Sequence, residues 1–349
     1  MSDRTLPTLN RCRPLMVALL LAAGLGVATA GEFSPRPEIN ERGGHIGYTL
    51  PRHYSLLIPG RETRFFGGAV FSYAPDVEAT LHDLGGGVVL IQNLAGDRIT
   101  GAFQVDLASR LEAVYRLPVG RENPTGAPAG CFIETEPYPR VAGALDLRFI
   151  TADQYHFPER AFAARIGGAL AVGFTDDPYA TAHLTGSLQA VVPVLTPVVQ
   201  VDLSARYRAS FDPGWLDGPA PASALSYLDL RGYIGTERFA HGAAVSAAVA
   251  ARLPFEFYLP MSAGVGAYVD AGRVSNSVAG VVPGLAAEGT DAAGAAVIGG
   301  FLEFRLLAPF RIGSLAVSAG TGAMVSGWTP AGPWLRIDYR TGWFFADPL

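Results

Sequence analysis

The chain has 349 residues, is 49% hydrophobic and only 16% charged, and carries 42 glycines, 26 prolines and a formal net charge of -5. This mildly acidic balance lacks the basic stripe that grips phosphate backbones, so no nucleic-acid partner is expected. Beyond residue 30 no uninterrupted apolar run reaches the length of a spanning helix, because Gly, Pro, Arg or Asp breaks every candidate. In lipid only helices and closed barrels satisfy their backbone, which points this apolar chain to an all-β, antiparallel transmembrane barrel.

At the start of the chain, Arg4, Arg11 and Arg13 surround and precede an apolar core from Leu15 to Leu25, and Ala28-Thr29-Ala30 offers a small-residue cleavage site. That order predicts a secretory signal peptide over residues 1–30, with the mature chain beginning near Gly31 and destined for the outer membrane of a Gram-negative bacterium. Cys12 falls in the leader, which leaves Cys131 as the one mature cysteine and predicts no intrachain disulfide. Residues 31–62, punctuated by Pro35, Pro37, Gly43-Gly44, Pro51 and Pro59, read as a periplasmic lead-in or a plug of the barrel mouth. They are too short for an ordinary domain, so the barrel is assigned to 63–349.

From Arg64 onward the pattern has period two. Val199, Val201, Leu203, Ala205, Tyr207, Ala209 and Phe211 alternate with Gln200, Asp202, Ser204, Arg206, Arg208 and Ser210. One such face suits lipid and the other a polar interior. The alternation predicts strands over 64–73, 77–82, 86–93, 98–117, 141–150, 161–174, 179–193, 197–211, 240–253, 259–270, 295–307, 312–326 and 333–345. Single-chain bacterial barrels have an even strand number, so the expectation is about twelve strands, with fourteen or sixteen if 98–117 or the first region hides a turn. Aromatic residues near segment ends, such as Phe211 with Trp215 and Trp328 with Trp334, fit an interfacial girdle. The long loops are placed at 119–140, 212–239 and 273–294.

Parity assigns Arg110, Glu112, Asp202, Arg206, Arg208, Glu303, Arg305, Arg336, Asp338 and Arg340 to the lumen. A barrel enzyme would need a histidine in register with a serine or paired carboxylates. The raw material is His183, His241, Ser246 and Asp153 with His156, but His183 has no acidic orienter on its strand, and His241 and Ser246 fall on opposite faces. There is no nucleophile elbow, metal-ligand cluster or phosphate loop, so neither catalysis nor a cofactor or metal is expected.

Leu230-Arg231-Gly232-Tyr233, followed after an alternating segment by Ala267-Tyr268-Val269-Asp270-Ala271-Gly272-Arg273-Val274, is similar to the C-terminal barrel of the BamA/TamA surface-antigen family. Ser318-Ala319-Gly320-Thr321-Gly322, Thr329-Pro330-Ala331-Gly332-Pro333 and Leu335-Arg336-Ile337-Asp338-Tyr339 resemble that family's penultimate hairpin. The resemblance covers roughly the last 120 residues, about a third of the chain. It implies a role in envelope biogenesis or in protein translocation and insertion. It also implies that the Arg231-Gly232-Tyr233 loop folds back into the lumen, with Arg231 paired to Asp270 ahead of Gly272. From the residues alone, the two read either as such a pair or as a surface-loop arginine and a turn aspartate.

Three features depart from the family. Residues 31–62 cannot hold a POTRA repeat, Ala243 to Leu253 lacks the glutamate that commonly joins the arginine pair, and the chain ends Phe344-Phe345-Ala346-Asp347-Pro348-Leu349 without a terminal aromatic. The alternatives are a passive pore for small solutes and, after it, a barrel enzyme acting on lipid or peptide. The expected surroundings are outer-membrane lipid and lipopolysaccharide. The barrel is expected to be a monomer, and the sequence names no envelope protein partner.

Overall fold

The computed structural model describes residues 34–35, 38–40, 43–49, 58, 61, 63–75, 79–96, 103–120, 137–153, 158–195, 198–216, 229–234, 239–257, 259–281, 292–307, 314–326 and 330–340. These residues are nearly all antiparallel β-structure. Three short N-terminal strands, β1 (Ser34–Pro35), β2 (Glu38–Asn40) and β3 (Gly43–Thr49), precede β4 (Thr63–Pro75), β5 (Ala79–Gly96), β6 (Gln104–Gly120), β7 (Tyr138–Ala152), β8 (Ala161–Gly173), β9 (Tyr179–Leu195) and β10 (Val199–Phe211). A two-strand hairpin, β11 (Asp229–Leu230) and β12 (Tyr233–Ile234), comes next. Then follow β13 (His241–Phe257), β14 (Leu259–Ser275), β15 (Ala292–Leu307), β16 (Ser314–Met324) and β17 (Trp334–Arg340). One helical turn, Val278–Val281, follows β14. No helix among the described residues is long and apolar enough to cross a membrane, a statement that leaves strand crossing open.

Twelve strands, β4 to β10 and β13 to β17, pair in sequence order as an antiparallel meander. The first and last of them do not pair with each other. The N-terminal hairpin lies between them, with β3 paired to β4 from Gly43↔Ser72 to Thr49↔Phe66. On its other side β2 meets β17 at Tyr339↔Ile39. Part of the stretch read as lead-in or plug, 38–40 and 43–49, therefore belongs to the sheet. The result is an all-β, barrel-like fold.

Two expected strands, 77–82 and 86–93, are one. The Gly85-Gly86-Gly87 run, which looks like a turn in the sequence, sits inside β5 opposite Val114, Ala113 and Glu112. A Cβ at Gly85 would collide with the carbonyl of Ala113, so glycine there permits close strand approach rather than reversal. Merging this pair brings the thirteen segments to twelve. The sheet also continues further than expected along β13, through Pro254 to Phe257, and along β14 to Ser275.

Buried charge and exposed aliphatic side chains occur together in this sheet. Asp106, Asp146 and Asp270 are 1–3% exposed, whereas Leu84, Leu111, Leu145, Ile166 and Leu302 are 54–67% exposed. The pleat separates these sets cleanly, since successive side chains point to opposite faces. On β7, buried Arg140, Ala142, Asp146, Arg148 and Ile150 alternate with exposed Val141, Leu145 and Leu147.

The connections are also asymmetric. The three longest, 121–137, 212–240 and 276–291, leave from one end of the strands, here the loop end. The loop end also carries the shorter 76–78, 174–178 and 325–333, and the other, turn end is joined by 50–62, 97–103, 153–160, 196–198, 258 and 308–313.

Candidate functional site

The hairpin β11–β12 places Arg231 and Gly232 at its tip, between the pairs Asp229↔Ile234 and Leu230↔Tyr233. Gly232 has φ of 76°, a conformation that costs a side-chain-bearing residue. A Cβ there would also strike the carbonyl oxygen of Gly332. That segment holds the tip in place, because the Gly332 amide donates to the Gly232 carbonyl at 2.7 Å and the Ala331 amide to the Gly322 carbonyl at 2.9 Å.

From this tip Arg231 reaches the inward face of β14. Its Nε donates to Asp270 Oδ2 at 2.8 Å, its Nη2 to Asp270 Oδ1 at 2.6 Å, and its backbone amide to Oδ2 at 3.0 Å. Ser246, the cross-strand partner of Asp270, accepts from Arg231 Nη2 at 2.7 Å and donates to Asp270 Oδ1 at 2.6 Å. Arg231 is 8% and Asp270 3% exposed, so this is a buried, two-pronged, charge-assisted pair. Asp270 lies well inside β14, and Gly272 pairs with Ala244 and Ala295 in the same strand rather than forming a turn.

Three aromatic rings complete the enclosure. The guanidinium carbon stands 4.0 Å from the Tyr268 ring centre and 5.9 Å from those of Phe301 and Trp334. Tyr268 donates through its hydroxyl to the Arg231 carbonyl at 3.3 Å and accepts from Trp334 Nε1 at 3.0 Å. Leu230, Ala248, Val297 and Ala331 pack around this group, with Tyr233 against its edge. Room for the rings comes from glycine. A Cβ at Gly266 would meet Phe301, one at Gly320 would meet Trp334, and one at Gly299 or Gly322 would meet the Tyr268 hydroxyl.

Other residues assigned to the lumen enter separate ion networks. Glu303 pairs with Arg252 at 2.7 Å and Arg305 at 3.0 Å, not with Arg231. Arg252 also donates to Gln200 at 2.7 Å and Asp202 at 2.6 Å, joining β10, β13 and β15. Arg110 and Glu112 approach at 3.7 Å on β6. Arg206 and Arg208 face Ser187 and Thr185 across the ladder, and the Arg336 guanidinium lies 5.9 Å from the Trp334 ring. Asp338 and Arg340 pair through β17 with Ala316 and Ser314, and their side chains lie outside the described residues.

Sequence reasoning missed Arg252 and two further centres. Asp83 receives Arg116 at 2.7 and 2.8 Å and faces Arg140 at 3.7 Å. Asp146 receives Arg165 at 3.0 and 2.9 Å, with Arg148 at 3.4 Å. Inward parity marks all of these residues, but only the register discloses who meets whom.

The candidate catalytic groups do not converge. His183 Nδ1 lies 2.9 Å from Ser210 Oγ, but the charged groups acting on His183 are Arg208, Arg140 and Arg116, not an orienting acid. His241 Nδ1 bonds the Tyr207 hydroxyl at 2.8 Å on the outward face, while Ser246 serves Arg231 inside. The Asp153 carboxylate accepts from the amides of Glu159 and Arg160 and so braces its own connection. His156 and Cys131 lie outside the described residues. Among the described residues no group of His, Cys, Asp and Glu could hold a metal ion. No family model matches the chain, and no curated protein matches it either.

Proposed function

We propose that the chain is an outer-membrane β-barrel of the BamA/TamA surface-antigen type, its lumen plugged by the Arg231 loop, acting in envelope biogenesis through protein translocation or insertion. The single observation that carries this reading is a loop arginine buried against Asp270 inside a sheet in which Asp83, Asp146 and Asp270 face inward and Leu84, Leu145 and Leu302 face out. Exposed leucine and isoleucine are costly beside water and favourable beside acyl chains, whereas paired interior charges are the usual state of ionisable groups at membrane depth. The placing of the three longest connections at one end agrees with outer-membrane barrels, whose short turns face the periplasm. On that orientation the Arg231 loop enters from the outside, and the signal-peptide-like leader supplies the export route.

Planar-bilayer conductance of the purified chain tests the plug. The expected result is a silent wild-type barrel and a steady conductance in Arg231→Ala. A steady wild-type conductance unchanged by Arg231→Ala would support the passive pore, a reading favoured by the paired charges that line β5 to β10. Mature protein that stays folded and monodisperse without detergent would remove the membrane reading altogether.

A further inference from the structure

Among the described residues of the twelve long strands, the outward face carries a single charged side chain, Arg273 on β14. Its parity is opposite to that of inward Asp270 and the same as that of exposed Val269 and Val265. No ion pair or hydrogen bond from the described residues reaches it. Arg273 lies two residues before β14 ends at Ser275, on the loop end. At a rise of about 3.4 Å per residue this is roughly 7 Å below the strand end. At that depth a lipid-facing arginine costs far less than at the midplane, and a phosphate lies within its reach.

Its neighbours form a niche. In the ladder Arg273 faces Ala243 on β13 and Gly294 on β15, and Ala243 in turn faces Tyr207 on β10. Strands sit about 5 Å apart, so Arg273 and Tyr207 flank the small Ala243 side chain at about 10 Å. His241, two residues nearer the rim, bonds Tyr207 and stacks on it with ring centres 6.2 Å apart. When the Tyr207 hydroxyl donates to Nδ1, the neutral imidazole carries its proton on Nε2 and presents a donor. Below the niche, toward the turn end, lie exposed Val245 and Val269.

We propose that Arg273, His241 and Tyr207 form a seat for the phosphate-monoester headgroup of a membrane lipid in the leaflet at the loop end. The guanidinium takes two open phosphate oxygens side by side, and the imidazole N–H, from the opposite wall, takes a third, which a monoester leaves open and a diester does not. The valines beneath would take the lipid's acyl chain, which is why the occupant is a lipid and not a free phosphate. The seat rests on the membrane reading, since only a barrel in a bilayer presents this face to lipid.

Native mass spectrometry of the full chain, folded in non-ionic detergent, tests the seat with phosphatidic acid as the monoester probe and phosphatidylcholine of equal acyl length as the diester control. The expected result is retention of one phosphatidic acid and no preference for phosphatidylcholine. Arg273→Ala should weaken retention roughly tenfold, Arg273→Lys less, and His241→Ala by a smaller factor. Millimolar inorganic phosphate should leave the lipid bound. Equal retention of the two lipids, undiminished retention in Arg273→Ala, or displacement by inorganic phosphate would overturn the seat. A chain that folds into phosphatidylcholine vesicles yet shows no headgroup preference loses the seat and keeps the membrane reading. A chain monodisperse without detergent loses both.

Discussion

The interior beside β5 to β8 and the interior beside β13 to β17 are filled in different ways. In the first, Asp83 is met by Arg116 and Asp146 by Arg165, each from the adjacent strand, so these pairs are set by the sheet's own register. In the second, glycines leave space on the strands, and an arginine from outside the meander fills it, caged by Tyr268, Phe301 and Trp334. Strand-borne pairs can be lost only with the sheet. A loop-borne pair can in principle be lost while the sheet stands, which makes the second region the natural place for a change of state.

Four substitutions would break or sharpen that contrast. The largest effect is expected from Arg231→Ala, which strands Asp270 in a buried site. Denaturant unfolding in detergent should show a loss of about 3–5 kcal/mol, alongside the open conductance. Asp146→Ala should cost about 3 kcal/mol in the same assay, because Arg165 and Arg148 lose their counter-charge, yet leave the barrel silent. If it opened the lumen, the division between structural pairs and loop lock would fail. Gly232→Ala should cost about 2 kcal/mol through its positive φ and its clash with Gly332, and should produce brief openings rather than a steady current. Ser246→Ala removes one partner from each member of the lock. A loss of about 1 kcal/mol with no conductance is the expected reading, and an opening as large as that of Arg231→Ala would make the serine, not the ion pair, the holding group.

Much of the sheet was legible because a barrel-like sheet with one charged and one apolar face records the two faces as strict alternation. The expected 197–211 segment became β10, Val199–Phe211, since polar and apolar residues exchange at every step there. The glycine run at 85–87 misled for a physical reason, as the same residue that permits a turn also permits close packing inside a strand. The order of Arg231 and Asp270 was visible through a family resemblance, not through periodicity. The cage was not. Tyr268, Phe301 and Trp334 share the parity of Asp270, Glu303 and Arg336 and so are readable as inward, but nothing in the sequence says that the three rings meet around one arginine, and the only further trace is the set of glycines opposite them. Glu303 shows the limit most directly, since its inward face was readable while its choice of Arg252 depends on the stagger among β10, β13 and β15.

The N-terminal hairpin between β4 and β17 has a kinetic consequence. Every other adjacency in the meander joins consecutive long strands, so the sheet can grow hairpin by hairpin with little loop entropy to overcome at each step. The meeting of Ile39 with Tyr339 joins opposite ends of the chain and cannot form until the last strand is in place. Assembly therefore passes through a curved sheet with two unpaired edges, a species inclined to pair with other chains. The seam is where a slow final phase of folding should arise.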